Sequence, residues 1–168
     1  GLAGALTFST VTGFGLVGLV LSAQLDLNAL FHYFGFMFSS VLLGCAFRSL
    51  AVMLSVFAAA RTRASGLALA VWFFFVLIFD LLLLAVLVIT AGQWGGESLP
   101  YLLLLNPADV FRILNIFSLE DVRTLYGLST VFPPALAKPW LLGLVMLGWI
   151  IAPLAIAGWR FRLSASRA

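Results

Sequence analysis

Charge is scarce in this 168-residue sequence: Asp, Glu, Lys and Arg together make up 9% of it, against about a quarter in an ordinary soluble domain. So few polar groups cannot cover a water-facing surface, which excludes a soluble globular fold. Lysine occurs once, at Lys138, and no glycine-rich phosphate loop precedes it, so no nucleotide-cradling motif is present. Cysteine also occurs once, at Cys45, which rules out an internal disulfide framework. His32 is the single histidine, with no second histidine or glutamate at ligand spacing, so these residues assemble no zinc site. A G-x-S-x-G nucleophile turn is missing too. Cys45, Met37, Met53 and Met146 share no face or spacing and read as packing, not as a soft-metal path. No catalytic, metal-binding or cofactor-binding residue is expected.

What the chain has instead is hydrophobic length. It is 64% hydrophobic, its mean hydropathy is +1.19, and the apolar residues are contiguous. From Gly66 to Gly92, about 27 residues pass with Asp80 as the only charge, or roughly 40 Å of helix for a hydrocarbon layer of about 30 Å. The expected fold is all-α, a polytopic membrane helix bundle with one transmembrane domain over residues 1–168. Its four spans are placed at about 1–25, 32–60, 67–91 and 140–159. Gly13, Gly15 and Gly18 thin the first span for close helix contact. Trp140 and Trp159 bracket the fourth as interfacial anchors, and Pro153 within it frees the carbonyl of Trp149.

Residues 92–139 are mixed in character and hold most of the acids, with Gly95-Gly96, Pro107, Pro133-Pro134 and Pro139 as punctuation. Asn106 followed by Pro107 is a helix start, a capping side chain before proline in the first turn. Val110, Ile113, Leu114 and Phe117 then recur at helical spacing, away from Asp109 and Arg112. Ser118, with Asp121 three residues on, opens a second short helix. Two short amphipathic helices lying at or dipping into the interface are predicted; an ordered loop is the alternative. Asn106, Pro107, Asp109 and Arg112 are the residues expected to dock a soluble partner.

Basic residues set the orientation. Arg61, Arg63, Arg160, Arg162 and Arg167 fall on one side with no acid. Arg112, Arg123 and Lys138 fall on the other with Asp26, Glu97, Asp109, Glu120 and Asp121. The first side is read as cytoplasmic, which puts the tail 160–168 inside and 92–139 outside, in the periplasm of a bacterial inner membrane. The net charge of +3 thus points to lipid headgroups, not to nucleic acid. His32 near the outer interface, with Asp26 and Met37 in the vicinity, suits an ordinary hydrogen bond better than a transient copper contact.

Two charges lie within the spans. Arg48 and Asp80 are equidistant from a hairpin turn centred at residue 64, so they are expected at one depth and paired. Each alone would cost about 2.5–3.5 kcal/mol near the bilayer centre. Arg48 also falls in a stripe of small residues, Ser40, Gly44, Ala51 and Ser55, a face that packs on protein. The pair reads equally as a pathway element or latch and as a fixed register device. The turn itself, Arg61-Thr62-Arg63-Ala64, is the one cytoplasmic loop in the sequence. It either docks a partner or anchors to anionic headgroups.

The run from Arg61 to Ala70, followed by Trp72-Phe73-Phe74-Phe75 and Asp80-Leu81, resembles the ABC-2 type exporter permease family. Leu105-Asn106-Pro107-Ala108-Asp109-Val110-Phe111-Arg112 is similar to the branch of that family serving maturation of nitrous oxide reductase. The resemblance implies six spans, of which these are the last four. The start at Gly1-Leu2-Ala3 accordingly reads as a cut within a helix. It also implies a homodimer with a second copy of the chain, two cytoplasmic ATP-binding subunits docked at Arg61–Ala64, and a periplasmic β-helical accessory protein. Copper or sulfur supply to the reductase's metal centres is the implied role. A non-transporting membrane scaffold and an intramembrane enzyme with Asp80 as its acid are the alternatives. An arginine opposite Asp80 would hold it ionised and make it a poor acid.

Overall fold

The computed structural model describes residues 15, 18, 27–58, 60–90, 95–118 and 138–165, and every regular element among them is helical. They are α1 (Leu27–Phe57), α2 (Arg61–Phe73), a π-helical turn (Phe74–Ile78), α3 (Phe79–Ile89), α4 (Gly95–Leu103), α5 (Pro107–Ser118) and α6 (Pro139–Ala165). Three stretches are long and apolar enough to cross a membrane: Phe31–Phe57, Thr62–Ile89 and Pro139–Leu163. The second runs through α2, the π turn and α3 as one rod. The expected first span, 1–25, and the second short helix beginning at Ser118 lie outside the described residues. The chain clusters into two units, Gly1–Phe38 and Ser39–Ala168; the following concerns the second.

The break between the first two long helices falls earlier than the sequence suggests. Arg61-Thr62-Arg63-Ala64 is not a loop but the first turn of α2; the break lies at residues 58–60. Ala60 is the N-cap, extended at φ −144° and ψ 147°, and no side chain caps the helix. Arginine and alanine are good helix formers, so a polar run of this composition continues a helix readily.

The core sits where α5 meets α6. Val110 and Ile113 of α5 pack on Leu142 and Met146 of α6, with Leu42 and Leu43 of α1 against them. This is the apolar stripe expected of α5, turned inward, with Leu114 beside it. By contrast, Leu69, Leu81, Leu84, Val88 and Ile89 stand exposed along the α2–α3 rod, as they would toward lipid. Trp140 and Trp159 are likewise exposed near the two ends of α6, the position of interfacial anchors. At the far end of α6, the Arg160 guanidinium carbon lies 5.6 Å from the centre of the Phe57 ring, joining it to the end of α1.

Pro153 leaves the Trp149 carbonyl without its helical donor, and α1 supplies one. The Ser49 hydroxyl lies 3.0 Å from that oxygen and 2.7 Å from the Ala46 carbonyl of its own helix. It can donate to either. A second cross-link joins Ser39 to Asn115, whose side-chain oxygen accepts at 3.1 Å.

The α4–α5 pair forms a hairpin that reaches far along the long helices. At its corner the Leu104 carbonyl accepts from the Trp149 indole at 3.1 Å, and the Asn106 amide donates to the Phe75 carbonyl at 2.7 Å. Phe75 is midway along Thr62–Ile89, and Trp149 is close to the middle of Pro139–Leu163. Counted along the helix axes, the corner therefore lies roughly 15–20 Å from the ends at Pro139 and Ile89. A position at or just below an interface was expected; this is near the middle of the spans. The extra depth is available because the corner's polar groups are all bonded to helix groups.

Candidate functional site: a polar clamp on a π turn

Asn106 is fully buried at the hairpin corner and makes three kinds of contact. Its side-chain oxygen accepts from the Ala108 amide at 3.0 Å, which is the N-cap bond the sequence implied. Its amide nitrogen donates to Phe75, as above, and also to Asp109 Oδ2 at 2.8 Å. Val110 N–H meanwhile bonds the Asn106 carbonyl at 3.0 Å and opens the helix ladder.

Arg112 lies one turn along α5 from Asp109 and faces the same way. Its Nη1 donates to Asp109 Oδ1 at 2.8 Å and to Asp80 Oδ2 of α3. Its Nη2 approaches the Val76 carbonyl at 3.5 Å. One guanidinium thus serves two carboxylates and a backbone oxygen, a use of the arginine fork that lysine's single ammonium cannot copy. The hydrogen bond to Asp80 raises the Arg112 pKa above its ordinary value. Asp109 is pushed up to about 6, first by burial and then by the negative charge of Asp80, while Asn106 and Arg112 pull it back.

The π turn explains why backbone oxygens are available here. Within it the Phe79 amide bonds Phe74, five residues back, so a wider turn replaces the i→i−4 pattern. The Phe75 and Val76 carbonyls that accept from Asn106 and Arg112 belong to this turn. The Phe75 ring is also held, edge-on to Trp149 at 5.4 Å and 6.5 Å from Phe47 between centroids. Phe75 thereby joins α1, the rod, the hairpin corner and α6. Only the aromatic run Trp72–Phe75 hinted at it in the sequence.

The expected partner of Asp80 is replaced. Asp80 pairs with Arg112, and no ion pair joins Arg48 to it among the described residues. The reason is the hairpin's centre: a break at residues 58–60, not at 64, offsets the two positions by about ten residues, or roughly 15 Å along the axes. Arg48 is exposed on α1. Asn106, Pro107, Asp109 and Arg112 likewise do not form an outward docking surface. The first three are buried and Arg112 is bound to both carboxylates. Among the described residues no three His, Cys, Asp or Glu side chains gather as a metal-ligand set. A groove of about 540 Å³, lined by Leu50, Met53, Leu105, Val145, Trp149 and Pro153 among others, is almost wholly apolar.

Helices long enough to cross a membrane, held together at mid-height by a polar clamp from a hairpin, define an α-helical membrane protein of the transporter type. The chain belongs to the ABC-2 family of transporter proteins, whose family model matches residues 2–164. The matched stretch is thus transmembrane permease, not an ATP-binding domain. The chain is 40% identical over 161 residues to the probable ABC transporter permease protein NosY of Stutzerimonas stutzeri. It is 40% identical over 163 residues to the protein of the same name from Pseudomonas aeruginosa. Each alignment takes in 94% of this chain but 58% of the relative, so the chain spans somewhat over half the length of these relatives.

Proposed function

We propose that the chain is the membrane-spanning part of an ABC permease that carries the effect of cytoplasmic ATP hydrolysis to its outer side, in a bacterial inner membrane. It works as a homodimer with two ATP-binding subunits and a periplasmic β-helical accessory protein. Its task is the supply of copper or sulfur to the metal centres of nitrous oxide reductase. The similarity to the NosY permeases supports that task.

The observation that carries the mechanical reading is the rod from Arg61 to Ile89. It begins with a basic helical turn and is gripped at mid-length by the hairpin through Asp80, Phe75 and Val76. A stiff helix that starts at Arg61 delivers a push to the clamp without a flexible loop to absorb it. Uncapped amide groups in that first turn add to the positive charge of Arg61 and Arg63 and favour carboxylates on an ATP-binding subunit.

The test is co-purification and ATPase stimulation. Arg61→Glu with Arg63→Glu should cut recovery or stimulation of the ATP-binding subunit, while lysine at both positions restores part of it. Full coupling in a correctly inserted alanine variant would leave the turn as a headgroup anchor alone. Copper and sulfur tracers in vesicles holding the full complex decide the cargo. A scaffold would stimulate no ATPase, and an enzyme would act without one.

A further inference from the structure

The π turn is costly to keep and sits where the hairpin grips the rod. π-helical turns are rare and equivalent to one extra residue in an α-helix. Here the extra residue falls midway along a spanning helix, between a first turn at Arg61 and a carboxylate at Asp80. Each of its two outward bonds comes from α5 or its cap: Asn106 to the Phe75 carbonyl at 2.7 Å and Arg112 to the Val76 carbonyl at 3.5 Å. The same two side chains are tied to each other through Asp109. The clamp therefore holds a helix register as well as a charge.

We infer that the turn Phe74–Ile78 is a two-register switch, latched in its π form by Asn106 and Arg112. Withdrawal of the hairpin removes both donors, and the turn closes to α-helical hydrogen bonding. Closing it advances the rest of the rod by one residue, a rotation of about 100° and a shift of about 1.5 Å. Asp80 is then carried off Arg112, and the exposed leucine and valine side chains of α3 are presented in a new direction. The reverse motion reseats the clamp. This deepens the permease reading and rests on it for the direction of the push, but the switch itself rests on the geometry of the turn.

Deleting Leu77 tests it, because removal of one residue from a π turn leaves a continuous α-helix with its outer half still in the latched phase. Asn106→Ser is the companion change: serine keeps a cap for α5 but is too short to reach Phe75. In the full-length permease assembled with its ATP-binding subunits in nanodiscs, Asn106→Ser should lower the melting temperature by about 2–4 °C. In the Leu77-deleted protein the same substitution should cost less than half of that, since the Phe75 carbonyl is bonded within the helix. Hydrogen exchange of the 79–89 peptide should rise at least threefold on trapping with ATP and vanadate in the parent protein, and stay unchanged in the deletion variant. Additive melting shifts, an equal rise in both proteins, or no rise in either would overturn the switch. Failure of the permease reading looks different: the parent chain would then not recover its ATP-binding subunits, whereas the melting comparison, made on the permease alone, still judges the turn.

Discussion

Asp109 is under opposing influences, burial and the Asp80 charge on one side, Arg112 and Asn106 on the other, and its pKa of about 6 records that the first pair prevails. An acid whose folded pKa is raised binds more protons folded than unfolded between its ordinary value of 3.8 and about 6. Its contribution to stability is therefore most favourable at the acid end of that window and declines as pH rises through it. Melting should accordingly be higher at pH 5 than at pH 7, and Asp109→Asn should flatten the difference while Arg112 keeps Asp80 as a partner. The ion pairs give a second measurement. Truncating Asp80 and Arg112 together should be milder than the sum of the single losses, with a coupling of about 0.5–3 kcal/mol, whereas Arg48→Ala and Asp80→Ala should add within about 0.5 kcal/mol. Coupling between Arg48 and Asp80 would restore the pairing that residue counting suggested. Asn106→Ala removes a cap worth about 1 kcal/mol and one of the donors to Phe75, so chemical denaturation should register more than a cap's loss.

At the scale of helices, much was legible and the errors have a common origin. Long apolar runs located the spans, and Asn106-Pro107 located the start of α5 because capping is local chemistry. The orphan carbonyl of Trp149 followed from Pro153 alone; its donor, Ser49, is 100 residues away in sequence and no spacing rule reaches it. The break before α2 was misplaced because arginine and serine were read as loop from polarity, although their helix propensity is adequate. That shift of a few residues moved the hairpin's centre and with it the partner of Asp80. Asp109 and Arg112 were read as outward because they are charged. Their inward position depends on the Phe75 and Val76 carbonyls, and a π turn leaves no signature in hydropathy. One element-level prediction follows from the proline. Ser49→Ala should cost about 1 kcal/mol in the parent protein and less in a Pro153→Ala background, where the helix can satisfy Trp149 itself; equal losses in both backgrounds would show that Ser49 serves only Ala46.

For the molecule as a whole, the depth of the hairpin and the orientation of the rods are separable questions, and thiol labelling answers both. The basic residues at 61–63 and 160–167 and the acids between 97 and 121 argue for a cytoplasmic start of α2 and end of α6. In a Cys45→Ser background, needed because Cys45 is exposed, cysteines at Arg63 and Arg167 should react with impermeant reagents from the cytoplasmic side only. Cysteines at Glu97 and Glu120 should react from the outer side only, and labelling of position 97 from the cytoplasm would reverse the topology. Leu105 decides the depth. It is 56% exposed at the hairpin corner, beside groups bonded to the mid-span residues Phe75 and Trp149. If that exposed surface meets hydrocarbon, Leu105→Cys reacts with a membrane-permeant maleimide and with neither impermeant reagent, because a thiol in lipid stays protonated and out of reach of charged probes. Rapid labelling from the outside would instead place the corner in water and return α4 and α5 to the membrane surface, with the clamp then working at an interface.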